Sequence, residues 1–187
     1  MAKKKNTTLE ITPSKTKEEI IKEAKRIEES VLYSAKKHFV TADFWQIFHF
    51  ILGVPIVVLS AIVGLSIFSQ FDGDKTLTGV LTLVITGLSS LMTFFNPNDK
   101  ASSNKNCGNS YDSLCNKVRI FRTIDCWREK SEDVLTEKLK HFSEQKDRLN
   151  QDAPQVPWFA YPLAKRGIEK GEASFVADVE KPDGVIK

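Results

Sequence analysis

The chain has 187 residues, 27 basic and 24 acidic side chains, a net charge of +3 and a hydrophobic fraction of 41%. That length accommodates one domain or two small ones. The near-balanced charge, with no dominant basic stripe, argues against a nucleic-acid-binding surface.

The average hides a partition. Almost all the long apolar runs lie between residues 44 and 95, while the flanks are charged and helix-like. Residues 1–13 (MAKKKNTTLEITP) read as a mobile basic tail. Pro13 leads into a helix start that Ser14 or Thr16 can cap, and Thr16 with Glu19 fits a capping box. Residues 14–43 then predict an N-terminal cytosolic helix. Ile20, Ala24, Ile27, Val31 and Ala35 step by three and four onto one face. The other face is rich in Lys and Glu, which favours packing on another helix over binding to anionic lipid.

Residues 44–95 predict a transmembrane hairpin, with spans at about 45–68 and 77–95. Neither span holds an Asp, Glu, Lys or Arg. As helices they reach ~36 Å and ~28 Å, against a hydrocarbon core of ~30 Å. A soluble domain of this size needs a polar face on such helices. The first span begins after more than forty residues of charged sequence and is longer than a signal-peptide apolar region, so it is not read as a cleavable signal peptide. Phe44, Trp45, Phe48 and Phe50 are interfacial aromatics at its cytosolic end. Pro55 removes a backbone donor and can kink the helix. Ser60 and Gly64 form a small-xxx-small pair suited to helix contact. In the second span Thr78, Thr82, Thr86 and Ser90 recur every four residues, and Thr93 continues that side. Gly79 and Gly87 lie beside the line. This face either packs against a helix or lines water in an oligomer. Lys36 and Lys37 before the hairpin, Lys100 and Lys105 after it, and the slightly acidic connector place both termini in the cytoplasm.

Asn96, Pro97, Asn98 and Asp99 end the second span sharply. Residues 96–150 form a C-terminal cytosolic helical region, helical from about Ala101, with a bend possible near Gly108. Tyr111, Leu114, Val118, Phe121 and Asp125 share one face, as do Leu135, Leu139, Phe142, Lys146 and Leu149. These helices can pair with the N-terminal one in a bundle. Residues 151–187 combine a Pro/aromatic docking segment, with Trp158, Phe159 and Tyr161 as anchors, and a mobile tail from Gly171. The fold class is all-α: a two-helix transmembrane hairpin flanked by long cytosolic amphipathic helices.

Catalysis needs a clustered nucleophile, base, metal set or phosphate loop, and none of the corresponding motifs occurs. No catalytic, cofactor-binding or metal-binding residue is assigned, and the chain is not read as an enzyme. Cys107, Cys115 and Cys126 lack zinc-site spacing and read as reduced thiols. His38 lies on the juxtamembrane helix and His141 on the C-terminal one. His49, four residues past Trp45, reads as an interfacial anchor or as a gating group. Asp43 is a juxtamembrane carboxylate. The charge runs EEIIKEAKRIEE and EKSEDVLTEKLK read as solvated helix faces or as surfaces for a partner.

The layout resembles the SLATT domains, two-transmembrane effectors associated with SMODS nucleotidyltransferases and SLOG domains in bacterial conflict systems. Residues 94–122 (FFNPNDKASSNKNCGNSYDSLCNKVRIFR) look like that family's segment after the second span, with Ala101, Gly108, Tyr111 and Leu114 at matching places. Residues 149–168 (LNQDAPQVPWFAYPLAKRGI) resemble its Pro-aromatic closing segment. The resemblance covers roughly residues 15–170. A His sometimes found in the family's post-membrane segment is missing, since residues 102–106 are Ser, Ser, Asn, Lys and Asn. The resemblance implies an inner-membrane effector, switched by a nucleotide signal or phage-sensing partner, that perturbs the membrane and arrests or kills the cell. The expected partners are the lipid bilayer, further copies of the chain and an upstream nucleotidyltransferase or sensor. The alternative is a non-conducting membrane anchor or scaffold that recruits a cytosolic partner.

Overall fold

A single helical stripe organises the first half of the protein. In the computed structural model, which describes residues 14–68 and 75–174, one helix, α1 (Lys15–Phe68), carries both the charged N-terminal segment and the first apolar run. The sequence predicts a helix at 14–43 and a separate span from 45. No break separates them, because neither Gly nor Pro lies between Ser14 and Gly53. The start is capped by Ser14, whose hydroxyl accepts the Lys17 amide at 3.2 Å. Pro55 lies inside α1. It leaves the Ile51 carbonyl without its i+4 amide donor.

The other elements are α2 (Lys75–Phe95), α3 (Pro97–Ile120), a π-helical turn (Phe121–Asp125), α4 (Cys126–Arg128), α5 (Glu132–Asp152) and α6 (Ala160–Glu169). There is no strand among the described residues. Only Asn96 separates α2 from α3, at φ 42°. Asn tolerates this left-handed geometry better than most residues. Pro97 then starts α3, where its missing amide costs nothing. The predicted sharp end after Phe95 is thus a one-residue joint.

Two compact units result, Met1–Leu32 with Tyr111–Gln151 and Tyr33–Ser110 with Asp152–Lys187. In the first, Ile20, Ala24, Ile27 and Val31 are buried, as are Tyr111, Leu114, Val118, Phe121, Cys126 and Leu135. Burying each Ile, Val, Leu or Phe side chain among them contributes ~1.5–3 kcal/mol. Phe121 meets Phe142 edge to face at 5.4 Å, and the Tyr111 hydroxyl donates to Asn150 Oδ1 at 2.8 Å. Arg122 Nε donates to Glu28 Oε2 at 2.6 Å. Asp125, predicted on the buried face, is half-exposed and pairs with Lys138 at 3.2 Å. The π turn explains this. The Cys126 amide reaches back to the Phe121 carbonyl, one residue further than in an α-helix. Cys126 therefore follows Phe121 into the core.

The helical reading of 101–150 misses a break at residues 129–131. Glu129 is extended (φ −80°, ψ 134°), and its carboxylate accepts the amides of Lys130 and Ser131 at 2.8 and 3.0 Å. Those bonds hold the Glu129 carboxyl below its ordinary range.

In the second unit the α1 stripe continues through Ala35, His38, Ala42 and Leu52, all buried. α3 does not break at Gly108. A Cβ there would lie 2.8 Å from the Phe39 ring, so Gly108 permits close approach of that ring. His38 Nδ1 and Asn104 Oδ1 are 2.9 Å apart, both residues buried. Asn104 Nδ2 donates to the Lys100 carbonyl at 2.9 Å, which leaves Oδ1 facing the imidazole. Oδ1 is only an acceptor, so His38 Nδ1 carries the proton. Burial lowers the His38 pKa below its ordinary value, against the raising effect of Asn104.

The predicted basic tail at 1–13, the connector at 69–74 and the tail from 175 lie outside the described residues.

Candidate functional site

Two helices, within α1 and beginning with α2, are long and apolar enough to cross a membrane. Almost none of their apolar windows is buried: 6% in the first and none in the second. Core helices of a soluble protein are mostly buried instead.

α2 meets α1 along a narrow seam. Leu81, Ile85, Leu88, Met92 and Phe95 are its half-buried apolar positions, at steps of three and four. On α1 Phe48, Ile56, Leu59 and Val63 are likewise half-buried and Leu52 is buried, again at steps of three and four. Phe48 meets Phe95 edge to face at 5.8 Å. A Cβ on Gly53 would touch Met92 Cε at 3.2 Å. Two seam faces of this width leave most of each helix surface uncovered.

The predicted hydroxyl stripe lies off this seam. Thr82, Thr86, Ser90 and Thr93 are exposed, roughly 100–180° around α2 from its contact with α1. Thr78 is half-buried. Each exposed hydroxyl donates to a carbonyl of its own helix: Thr82 to Thr78, Thr86 to Thr82 and Ser90 to Thr86 at 2.8 Å, and Thr93 to Ser89 at 3.0 Å. The protons are thus satisfied internally, and each oxygen keeps acceptor capacity for a neighbour or water.

Gly64, Gly79 and Gly87 have nothing described within 4 Å of an added Cβ, and Ser60 is exposed. Among the described residues, an added Cβ at these three predicted helix-contact glycines therefore meets nothing within one copy. Gly53, Ser60 and Gly64 share one flank of α1 by helical spacing. A groove joins that flank to α2, lined by His49, Gly53 and Val57 on one side and Ser89, Met92 and Thr93 on the other. A shallow groove continues over Thr86, Ser90 and Thr93. The hairpin therefore has one small, hydroxylated flank, and its other outer faces are aliphatic.

His49 sits at the head of that flank, with Nδ1 buried and lacking a hydrogen-bond partner among the described residues. It also lines a second cleft with Asp43, Gln46, Asn98, Ser102 and Lys105.

An aromatic collar surrounds this end of the hairpin. Phe44 contacts Trp45 at 5.3 Å and Phe48 at 6.3 Å. Lys100 Nζ lies 4.4 Å from the Trp45 ring. The Pro-aromatic segment joins the collar through Phe159, 5.0 Å from Phe44. Tyr161 lies 6.2 Å from Tyr33. Trp158 is 88% exposed. Helix α6 within that segment is absent from the sequence reading. Pro162 masked it, but Pro162 is the third residue of α6, where no intrahelical donor is lost.

Among the described residues no group of three or more His, Cys, Asp or Glu side chains gathers as a metal site. Burial raises all three thiol pKa values. For Cys115 burial, with Glu28 and Asp112 adding, pushes it up to about 11. Such thiols are poor nucleophiles at neutral pH. Comparison with known proteins adds nothing to this geometry: no protein-family model, curated protein or solved structure matches the chain.

Proposed function

We propose that the chain is a two-transmembrane effector that oligomerises in the inner membrane, both termini cytoplasmic, and permeabilises it when triggered. What supports the membrane part is apolar exposure. Among the described residues, fifteen large apolar side chains between 44 and 94 are 39–81% exposed. Finishing their burial is worth on the order of 10–20 kcal/mol. That equals or exceeds the whole stability of a typical domain. Lipid or further copies of the chain must cover these faces.

The hydroxylated flank carries the functional part. Two helices have no interior, so one hairpin cannot enclose a water path. Several hairpins can, with the Thr82, Thr86 and Ser90 side turned inward and the aliphatic sides toward lipid. In this reading the extramembrane helices hold the assembly closed, as a cytosolic bundle, until a nucleotide signal or partner protein acts. A trigger that moves the equilibrium from mostly closed to mostly open must favour the open state by ~5.5 kcal/mol. The likeness to SLATT effectors supports an anti-phage role. Of its matching residues, Gly108 meets the Phe39 ring and Tyr111 and Leu114 are core positions, so packing alone also accounts for these three.

One observation favours a second reading, a non-conducting anchor or scaffold. The hydroxyl protons are already committed to their own helix, which suits a small-residue packing face as well as a wet one. Induced expression with a membrane-potential dye separates the two. Depolarisation that Thr82→Leu with Thr86→Leu abolishes, with insertion retained, supports the effector. An unperturbed potential, with or without the candidate trigger, supports the scaffold.

A further inference from the structure

We infer that the segment around Trp158 and α6 is a membrane-interface anchor, with Trp158 seated among phospholipid headgroups of the leaflet where both hairpin ends emerge. This rests on the reading of residues 45–95 as membrane-embedded. Phe159 packs 5.0 Å from Phe44, the residue just before the first apolar run. Phe44 in turn meets Trp45 and Phe48. The depth of Phe159 is thereby tied to the collar, which marks the level where apolar sequence gives way to charge. Trp158 adjoins Phe159 at 5.9 Å and is 88% exposed, an unusual state for an indole without an amphipathic surface to meet. The interfacial zone suits it, since the ring is apolar and the N–H can reach carbonyl or phosphate oxygen.

Helix α6 supplies the complementary charge. It buries Ala160, Ala164 and Gly167. Its exposed residues are Tyr161, Pro162, Leu163, Lys165, Arg166 and Glu169, with Glu169 3.8 Å from Lys165, and the exposed Lys170 follows at its C-terminal end. Beyond it Glu172 pairs with Lys36 at 2.8 Å, which ties the far end of the segment to α1. The exposed surface therefore joins aromatic and aliphatic side chains to three cations set against the one Glu169 carboxylate, a net basic balance suited to anionic lipid.

The test uses the full chain with Trp45→Phe and Trp127→Phe, which leaves Trp158 as the sole tryptophan. It is reconstituted in phosphatidylcholine/phosphatidylglycerol vesicles carrying brominated acyl chains. The expected result is Trp158 emission shifted to the blue, quenched by lipid brominated near the glycerol and shielded from aqueous iodide. A companion chain carries Val58→Trp with all three native tryptophans replaced by Phe, and reports the middle of the first span. Lipid quenching of the Val58 probe with iodide quenching of Trp158 overturns the anchor and leaves the hairpin standing. Quenching of neither probe by lipid overturns both. Trp158 shielded from iodide yet unquenched by lipid identifies a protein cover, such as a second copy, and overturns the anchor. Lys165→Gln, Arg166→Gln and Lys170→Gln together should weaken quenching by brominated phosphatidylglycerol more than by brominated phosphatidylcholine. An unchanged ratio overturns the contact with anionic headgroups.

Discussion

Replacing Gly108 by Ala should destabilise the protein, although the same change in most helices stabilises it. Position 108 lies inside α3, where Ala is favoured over Gly by ~1 kcal/mol. Against this, the new Cβ would sit 2.8 and 2.9 Å from Phe39 Cε1 and Cδ1. Ordinary carbon contacts begin near 3.5 Å, so the ring or the helix must shift by more than half an ångström. Overpacking of that kind costs ~1–3 kcal/mol. The net expectation is a loss of up to ~2 kcal/mol, from those two estimates. Phe39→Ala removes the obstacle, and Gly108→Ala in that background should stabilise by ~1 kcal/mol. The double-mutant cycle then gives a coupling of ~1–3 kcal/mol between the two sites. Thermal unfolding of purified protein in detergent, followed by helical circular dichroism, reads all four corners. Stabilisation by Gly108→Ala in both backgrounds refutes the close approach.

Three further outcomes follow from the geometry. His38 has a folded-state pKa below its ordinary value, so its neutral form stabilises the fold. That contribution is full above the unfolded pKa of about 6.5 and is lost as pH falls through and below it. Acid titration of stability should show a decline below that pH that His38→Gln reduces. Glu28→Gln should cost ~1–2 kcal/mol, since Arg122 and Glu28 are only 28% and 16% exposed. The figure is reduced from the buried-pair range for residual solvent screening, and thermal unfolding measures it. In native protein Cys115 should react with iodoacetamide far more slowly at pH 7.5 than in denaturant, because its thiol pKa is pushed up to about 11. Equal rates, read by mass spectrometry, would contradict its burial.

Periodicity made the buried stripes legible. Ile20, Ala24, Ile27, Val31 and Ala35 stand at heptad-like steps, and all five are buried. The same stepping runs on to His38 and Ala42, so the buried His38–Asn104 pair had a signal in the spacing. A polar pair on an apolar stripe has to be matched by a partner 66 residues away, and one sequence does not supply that match. The π turn was invisible for a different reason. Its insertion of one residue leaves no compositional mark, yet it exchanges Asp125 for Cys126 in the core. The break at Glu129 was hidden because no Gly or Pro marks it; the bend is held by a side chain closing on its own backbone. In the candidate site the hydroxyl repeat was plain from Thr78 to Ser90. What the repeat lacks is direction. Only the structure places it beside, and not within, the seam with α1. Whether a second copy or water meets that flank depends on assembly, which no single chain encodes openly.

The most direct test of the account is the solvent around the two apolar helices. Single cysteines at Val58, Val84 and Ser103, in a chain whose three native cysteines are alanine, would be treated with a charged maleimide in sealed inside-out vesicles of native membrane, whose cytoplasmic face is outermost. The account predicts labelling at Ser103 at once, and at Val58 and Val84 only after denaturing solubilisation. Labelling of Val58 and Val84 in intact membranes as fast as Ser103, or recovery of the protein in the soluble fraction, would contradict it.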